Sequence, residues 1–281
     1  MTPNLPNVAN GPPPVFYDTH AHLDYPEFAA ELPQVVDRAG AAGITRILSI
    51  GTDLESSRKA IALAERFAGV YAAAGWHPTN ALEAPDDLRP ALRELARHPK
   101  VVAIGETGFD YYRLPSQQPG GTAADDAVYQ QHQARIFEQQ LEVAAEIGLN
   151  CILHQRESLE DTLVFLERFS SRVRGVFHCF SGDVPTLQRI LALGSIVSFT
   201  GILTFKNAQN VRDTLAAVPL GQFMLETDCP YLAPVPFRGK RCEPAYVKEI
   251  AELAAQVKGC TLEELSAATC RAAQEFFPRL R

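Results

Sequence analysis

The sequence lacks most of what would take it out of the ordinary soluble globular class. No uninterrupted apolar run approaches the roughly 18 residues of a membrane-spanning helix, so no membrane partner is expected. The six cysteines, Cys151, Cys179, Cys229, Cys242, Cys260 and Cys270, form no C-x-x-C pair. They read as reduced, mostly buried thiols of a cytoplasmic protein rather than a disulfide framework. The opening MTPNLPNVANGPPP has neither the basic segment nor the apolar core of a secretory signal. Its Pro, Asn and Gly content predicts a flexible tail over residues 1–14. Positive charge is not in excess: 26 Lys and Arg stand against 33 Asp and Glu, a net charge of -7. A protein that binds nucleic acid through bulk basicity is therefore excluded, and a polyanionic substrate must be held locally, by a basic rim or by metal ions. No G-x-G-x-x-G follows the first apolar run, which argues against a dinucleotide-binding sheet. There is no internal repeat and no linker.

What is present is a regular alternation. Short apolar runs occur at Val15–Asp18, Ile44–Ile50, Val70–Ala74, Val101–Gly105, Asn150–Leu153, Gly175–Phe177, Ser195–Phe199 and Phe223–Glu226. Buried parallel strands read as runs of this kind. Amphipathic segments fill the gaps, at Glu27–Ala42, Leu54–Phe67, Asp86–Arg97, Val128–Ile147, Leu159–Phe169, Pro185–Leu193, Asn207–Ala217, Ala245–Val257 and Leu262–Phe277. Eight strand–helix units predict an α/β fold, a (β/α)₈ barrel occupying residues 15–281 as one domain, a size usual for such barrels at about 250 residues. The stretch Leu114–Asp126, rich in Gln, Pro, Gly and Ala, is expected to be a flexible loop over the barrel mouth.

Chemistry-bearing residues gather at the ends of the runs. His20 and His22 end the first strand and, two apart, point to one face. His154 and His178 follow strands 5 and 6, Glu106 follows strand 4 and Asp228 follows strand 8. In a closed barrel these ends converge on the mouth where catalytic groups collect. Four imidazoles and two carboxylates can satisfy two divalent ions, with zinc, manganese or magnesium as candidates. A lone H-x-H would be a weak signal, equally a pair of core histidines. A single structural zinc is the plainer alternative, though the Cys-rich closed cage of such sites is lacking. His98 and His132 fall in helical segments and read as a helix-end contact and a solvated side chain.

Eight stretches, in order along nearly the whole chain after residue 14, carry a resemblance. They are DTHAHLD (18–24), GWHP (75–78), IGETGFDYY (104–112), LHQRES (153–158), FHCFSG (177–182), SFTGILTFKN (198–207), LETDCPYLAP (225–234) and RGKRCEPAYV (238–247). The sequence resembles the TatD family of metal-dependent deoxyribonucleases, within the amidohydrolase-like barrels. The resemblance implies that His20, His22 and Asp228 hold one metal, that His154 and His178 hold a second, and that Glu106 bridges both. Two departures stand out. Cys242 occupies a position where the family pattern has Asn, and the Leu114–Asp126 loop is longer than usual.

Two ions so placed would clamp the attacking and leaving oxygens of a phosphodiester, with Glu106 and Asp228 as catalytic residues and Asp228 taking the proton of the attacking water. Around them, His77, Arg113, Arg156, Lys206 and Arg238 follow strands 3, 4, 5, 7 and 8 and are candidate substrate contacts. For each the plain alternative is a satisfied rim residue or a solvated charge. Trp76, Tyr111 and Tyr112 are either base-stacking or packed rim aromatics. The expected function is hydrolysis of DNA as an exonuclease on single-stranded ends, with the 3′ end favoured by the resemblance, and no obligate protein partner. Two readings stay beside it: an esterase acting on aminoacyl-tRNA, which keeps the metals and changes the bond, and a metal-binding barrel without catalysis.

Overall fold

A computed structural model describes residues 13–281; the predicted tail over 1–14 lies almost wholly outside the described residues. Eight strands form one parallel sheet in sequence order: β1 (Phe16–Ala21), β2 (Ile44–Ile50), β3 (Val70–Ala74), β4 (Val101–Asp110), β5 (Asn150–Arg156), β6 (Gly175–Phe177), β7 (Ile196–Phe199) and β8 (Phe223–Leu225). The seam between β8 and β1 closes just past the end of β8. Asp228 N–H donates to His20 O at 2.9 Å, and His22 N–H donates to Cys229 O at 2.8 Å. Backbone that carries three site residues thus also joins the last strand to the first. The nine helices among the described residues are α1 (Leu32–Ala41), α2 (Leu54–Arg66), α3 (Arg89–Ala96), α4 (Ala123–Ile147), α5 (Leu159–Phe169), α6 (Val184–Ala192), α7 (Gln209–Ala217), α8 (Val247–Lys258) and α9 (Leu262–Phe276). None is long and apolar enough to cross a membrane.

Helix starts differ most from the sequence expectation, and local chemistry explains each. The segment from Glu27 is broken: Pro26–Phe28 forms a 3₁₀ turn, and α1 begins only at Leu32 with a proline in its first turn. Pro90 sets the start of α3 at Arg89 rather than Asp86 in the same way. In α4 the helix begins five residues before Val128. Thr122 accepts from Asp125 N–H while the Asp125 side chain accepts from Thr122 N–H, a reciprocal cap that satisfies the first free amides. The Leu114–Asp126 stretch is therefore part loop and part helix, and apart from its neighbour Arg113 it does not line the mouth cavity.

Two cores hold the barrel. The larger lies between sheet and helices. The smaller fills the barrel interior, where Leu48, Ile50, Ile152 and Met224 meet Phe276, Phe277 and Leu280 from the end of the chain. The contacts of this last segment are with strand starts. Phe276 O accepts from Asn150 Nδ2 at 2.6 Å, Arg279 donates to Val101 O at 3.1 Å, and Arg281 O accepts from Tyr71 Oη and Arg46 Nε. The C-terminal segment seals the N-terminal end of the barrel and leaves the other end for the site.

Candidate metal centre

The site is assembled by close backbone approach. Gly105 has φ +145, a conformation that favours glycine. A Cβ on Gly75 would stand 2.6 Å from the Gly105 carbonyl carbon and one on Gly105 would stand 2.7 Å from Ile152 O, so β3, β4 and β5 approach this closely only because both residues lack side chains. Gln140 of α4 locks this crossing. Its amide accepts from Trp76 N–H at 2.8 Å and donates to Trp76 O at 2.9 Å and Thr107 Oγ1 at 2.6 Å. Glu106 is thereby fixed between two pinned neighbours. The strand did not stop at Gly105 as its apolar run suggested. β4 continues to Asp110 with every residue buried.

Glu106 is the centre of the cluster. Its Oε1 lies 2.8 Å from His154 Nδ1, 2.9 Å from His178 Nε2 and 3.3 Å from His77 Nε2. Its Oε2 lies 3.3 Å from His20 Nε2 and 3.9 Å from His22 Nε2. Asp228 Oδ1 stands 3.4 Å from His22 Nε2 and 3.7 Å from His20 Nε2. All six ligands expected from the sequence therefore converge at the C-terminal mouth. Three sets of donor atoms lie within 4.8 Å of one another: His20, His22 and Asp228; His77, Glu106 and His154; and His20, His178 and Glu226.

The cluster is electrostatically divided. Burial would raise the Glu106 carboxyl, but His178, His77, His20 and the hydrogen bond with His154 outweigh it and hold it well below the usual range. Asp228 is likewise held down, its burial outweighed by the hydrogen bond with His22 and the nearby imidazoles. Burial would lower His178, yet the Glu106 charge, the hydrogen bond with Glu106 and the nearby Glu226 carboxylate lift it well above the usual value. His22 and His154 are lifted against burial for similar reasons, the first by Asp228 and the second by Asp110 and Glu106. In His77 burial wins and the value falls. Beneath the cluster, Asp18 is pushed up to about 8 by burial although it accepts from Thr227 N–H at 2.9 Å and Thr227 Oγ1 at 2.6 Å.

Both ring nitrogens of His20, and Nδ1 of His22 and of His178, are buried without a hydrogen-bond partner among the described residues. His20 Nε2 is near two carboxylates yet in hydrogen-bond geometry with neither. Buried imidazole nitrogens and ionised carboxylates that converge without satisfying one another suit a cation between them. The donor set is compatible with one or two divalent ions and with imidazole–carboxylate chemistry rather than a thiolate cage.

Two carboxylates that the sequence reading left out belong to the surroundings. Asp110 Oδ2 lies 3.0 Å from His154 Nε2, opposite the nitrogen that faces Glu106. Glu226 accepts from Cys179 N–H at 2.7 Å and stands 3.6 Å from His178 Nδ1. Carboxylates behind a ligating imidazole fix its ring orientation and tautomer. The available signal was period two along the strand ends: Asp110 is four residues from Glu106 and Glu226 two from Asp228. Of the proposed substrate contacts, His77, Arg113 and Arg156 line a mouth cavity of about 630 Å³ together with Tyr25 and Tyr231. Arg156 also packs over Tyr112, with its guanidinium carbon 3.5 Å from the ring centroid. Lys206 and Arg238 do not line it. Lys206 is exposed, and Arg238 lies over the Phe205 ring at 3.6 Å. Trp76 is buried, with its indole N–H held by Asn80 O at 2.8 Å, so it is a packed rim aromatic.

An eight-stranded parallel barrel with this imidazole–carboxylate cluster at its mouth defines a metal-dependent hydrolase of the amidohydrolase-like type. The chain belongs to the TatD-related DNase family, whose model matches residues 17–278. It is 36% identical over 264 residues to the metal-dependent hydrolase YabD of Bacillus subtilis, covering 94% of this chain and 99% of that protein. It is also 36% identical over 259 residues to the 3′-5′ ssDNA/RNA exonuclease TatD of Enterobacter lignolyticus, covering 90% and 95%. Among solved structures, the TatD homologue YjjV of Escherichia coli K12 superposes with a TM-score of 0.84 at 29% identity, covering 94% of this chain and 98% of that one.

Proposed function

We propose that this hydrolase cleaves phosphodiester bonds of nucleic acid, and acts on single-stranded DNA from its 3′ end. The observation that carries the reading is the division of the Glu106 carboxylate, one oxygen facing His154, His178 and His77 and the other facing His20 and His22. A carboxylate shared in this way suits two ions side by side. In this reading His20, His22 and Asp228 would hold one ion, His154 and His178 would hold the other, and Glu106 would serve both. Divalent ions bound there supply Lewis acidity to a phosphoryl oxygen and lower the pKa of water.

The protein's own groups orient the rest. Asp228, kept ionised near neutral pH, is an acceptor for the proton of the attacking water. Arg113 and Arg156 offer guanidinium groups to the phosphate from the cavity wall, His77 offers Nε2 beside Glu106, and Lys206 and Arg238 contact substrate outside the cavity. The cluster lies at the base of a concave mouth. A stiff duplex cannot bring an internal phosphate down to it, whereas a single-stranded end can. The membership of the family and the name of the Enterobacter relative support a nucleic-acid substrate.

The test is a time course on a 5′-labelled oligonucleotide with added divalent metal and a chelator control, run beside a circular single strand. Stepwise shortening that stops with chelator is expected. Cuts in the circle at the rate seen on the linear strand would reject end dependence.

A further inference from the structure

The mouth has two lobes that meet at part of the metal cluster. The first is the cavity of about 630 Å³, which reaches outward past Thr79, Asn80, Arg113 and Tyr129. The second, of about 480 Å³, is lined by Gln155, Cys179, Ser181, Ile202 and Leu232. His154, Arg156, His178, Asp228 and Tyr231 line both. A phosphate seated at the shared residues therefore has room on each side, and each lobe lies within the range of small-ligand sites.

The two sides differ in what lies beyond. Outside the first lobe, residues 114–134 contain no Lys or Arg, and Glu83 and Asp125 are exposed. Outside the second, the loop after β7 and the loop after β8 make one continuous wall. Val235 N–H donates to Thr204 Oγ1 at 2.8 Å, and a Cβ on Gly201 would run into the backbone of Leu232 and Pro234. Ile202 and Leu232 of this wall line the lobe. The same two loops carry Phe205, half-buried against the core with Arg238 stacked upon its ring, and the exposed Lys206 and Lys240. Residues 229–242 hold three basic residues and no acidic one. Tyr231, 52% exposed, stands between the lobes with its edge to Tyr25.

We infer that the two lobes divide one strand: the terminal nucleotide sits in the first, and the rest of a single-stranded chain leaves through the second, over Tyr231 and out along Ile202, Leu232 and the Phe205–Arg238 pair. The inference rests on the nucleic-acid reading above and adds a direction to it. Aromatic faces and cations in sequence are what a single strand needs, since bases stack without regard to identity and phosphates are neutralised along the way. The polymer goes where such groups continue; the end of the chain goes where they stop and the surface turns acidic. The division also explains why the basic residues at the strand ends fall into two groups. Arg113 and Arg156 face the scissile phosphate, while Lys206 and Arg238 face phosphates further along.

The test is kcat/KM of the metal-loaded enzyme on a length series, from a dinucleotide to a 12-nucleotide strand, for wild type and for Phe205→Ala/Arg238→Ala. The expected result is a loss that grows with length, about tenfold greater on the longest strand than on the dinucleotide and carried by KM. The slope of log KM against log salt on the longest strand should also flatten by about 0.7 for the lost charge. Glu83→Lys, on the other side, should leave the length dependence as in wild type. An equal loss at every length, no loss, or a gain on long strands in Glu83→Lys would overturn the track while the nucleic-acid reading stands. No hydrolysis of any nucleotide substrate by wild type would overturn both.

Discussion

The two ends of this barrel are built from opposite materials. At the N-terminal end the interior is closed by Phe276, Phe277 and Leu280, packed on Leu48, Ile50 and Met224. At the C-terminal end the interior holds His20, His22, Glu106 and their neighbours, among them buried ring nitrogens with no partner. Burying apolar area stabilises; burying unpaired polar atoms costs. The chain thus places its stability at one end and its chemistry at the other, and the sheet between them lets each be changed alone. The largest effect on function should come from Glu106→Ala. Loss of a carboxylate behind a ligand costs about 10–100-fold in metal affinity or activity, so loss of one shared by five imidazoles should exceed about 100-fold. Metal content should fall while the circular dichroism spectrum is kept. Full metal and full activity in the variant would remove the shared-carboxylate account.

The opposite end provides the matching break. Phe277 is fully buried in the inner core. Phe277→Ala should cost about 3–5 kcal/mol of unfolding free energy, read from denaturant titration, with kcat per folded molecule kept. If the rate per folded molecule fell as far as in Glu106→Ala, the two ends would not be independent.

That division was half legible in the sequence. The eight strands could be read because buried parallel strands are apolar on both faces. β4 beyond Gly105 could not, since Glu-Thr-Gly-Phe-Asp reads as an exit loop although each residue is buried. The six expected ligands stood out because each follows an apolar run. Asp110 and Glu226 were passed over although period two along the strand ends links them to Glu106 and Asp228, because that spacing alone does not separate a ligand's partner from any other acid; their approach to His154 and His178 does. The start of α4 was missed because the cap at Thr122 sits in what composition alone calls a loop. Lys206 and Arg238 show the limit most plainly. Sequence places them after strands 7 and 8 but cannot say which way those loops lean, and they lean away from the first lobe.

A change of pH sharpens the comparison at the functional end. His178, His154 and His22 are raised by neighbouring carboxylates. A ligating imidazole must give up its proton, so metal uptake should release protons and strengthen as pH rises from 6 to 8. Calorimetry of the stripped protein in buffers of different ionisation heat measures the release; an affinity flat over this range would contradict it. Stability of the metal-free protein has its own signs. The raised His178 contributes stability that is fully present below the unfolded histidine value and lost as pH climbs through the folded one. The lowered Glu106 contributes stability present above the unfolded carboxylate value and lost as pH falls through the folded one. The stripped barrel should therefore be most stable on the mildly acidic side of neutrality.

The smallest effect is expected where the two materials meet, at Cys242. This thiol is fully buried, its N–H donates to Pro230 O at 3.0 Å, and its sulfur reaches Glu243 O only at 4.0 Å. The resemblance read from the sequence implies Asn here, so a polar contact would be expected. Instead burial pushes the thiol well up and keeps it neutral, and it serves as a small apolar filler beside the Asp228–Pro230 turn. Cys242→Ala should then cost only about 1 kcal/mol for a small cavity. Cys242→Ser, with the same shape, should cost more, about 1–3 kcal/mol, because its hydroxyl finds no close acceptor. Metal content and kcat should be unchanged in both. The order of the two melting temperatures decides the matter: Ser above Ala would mean that a polar partner for residue 242 exists, and that the thiol is a weakened hydrogen bond to the site rather than part of the core.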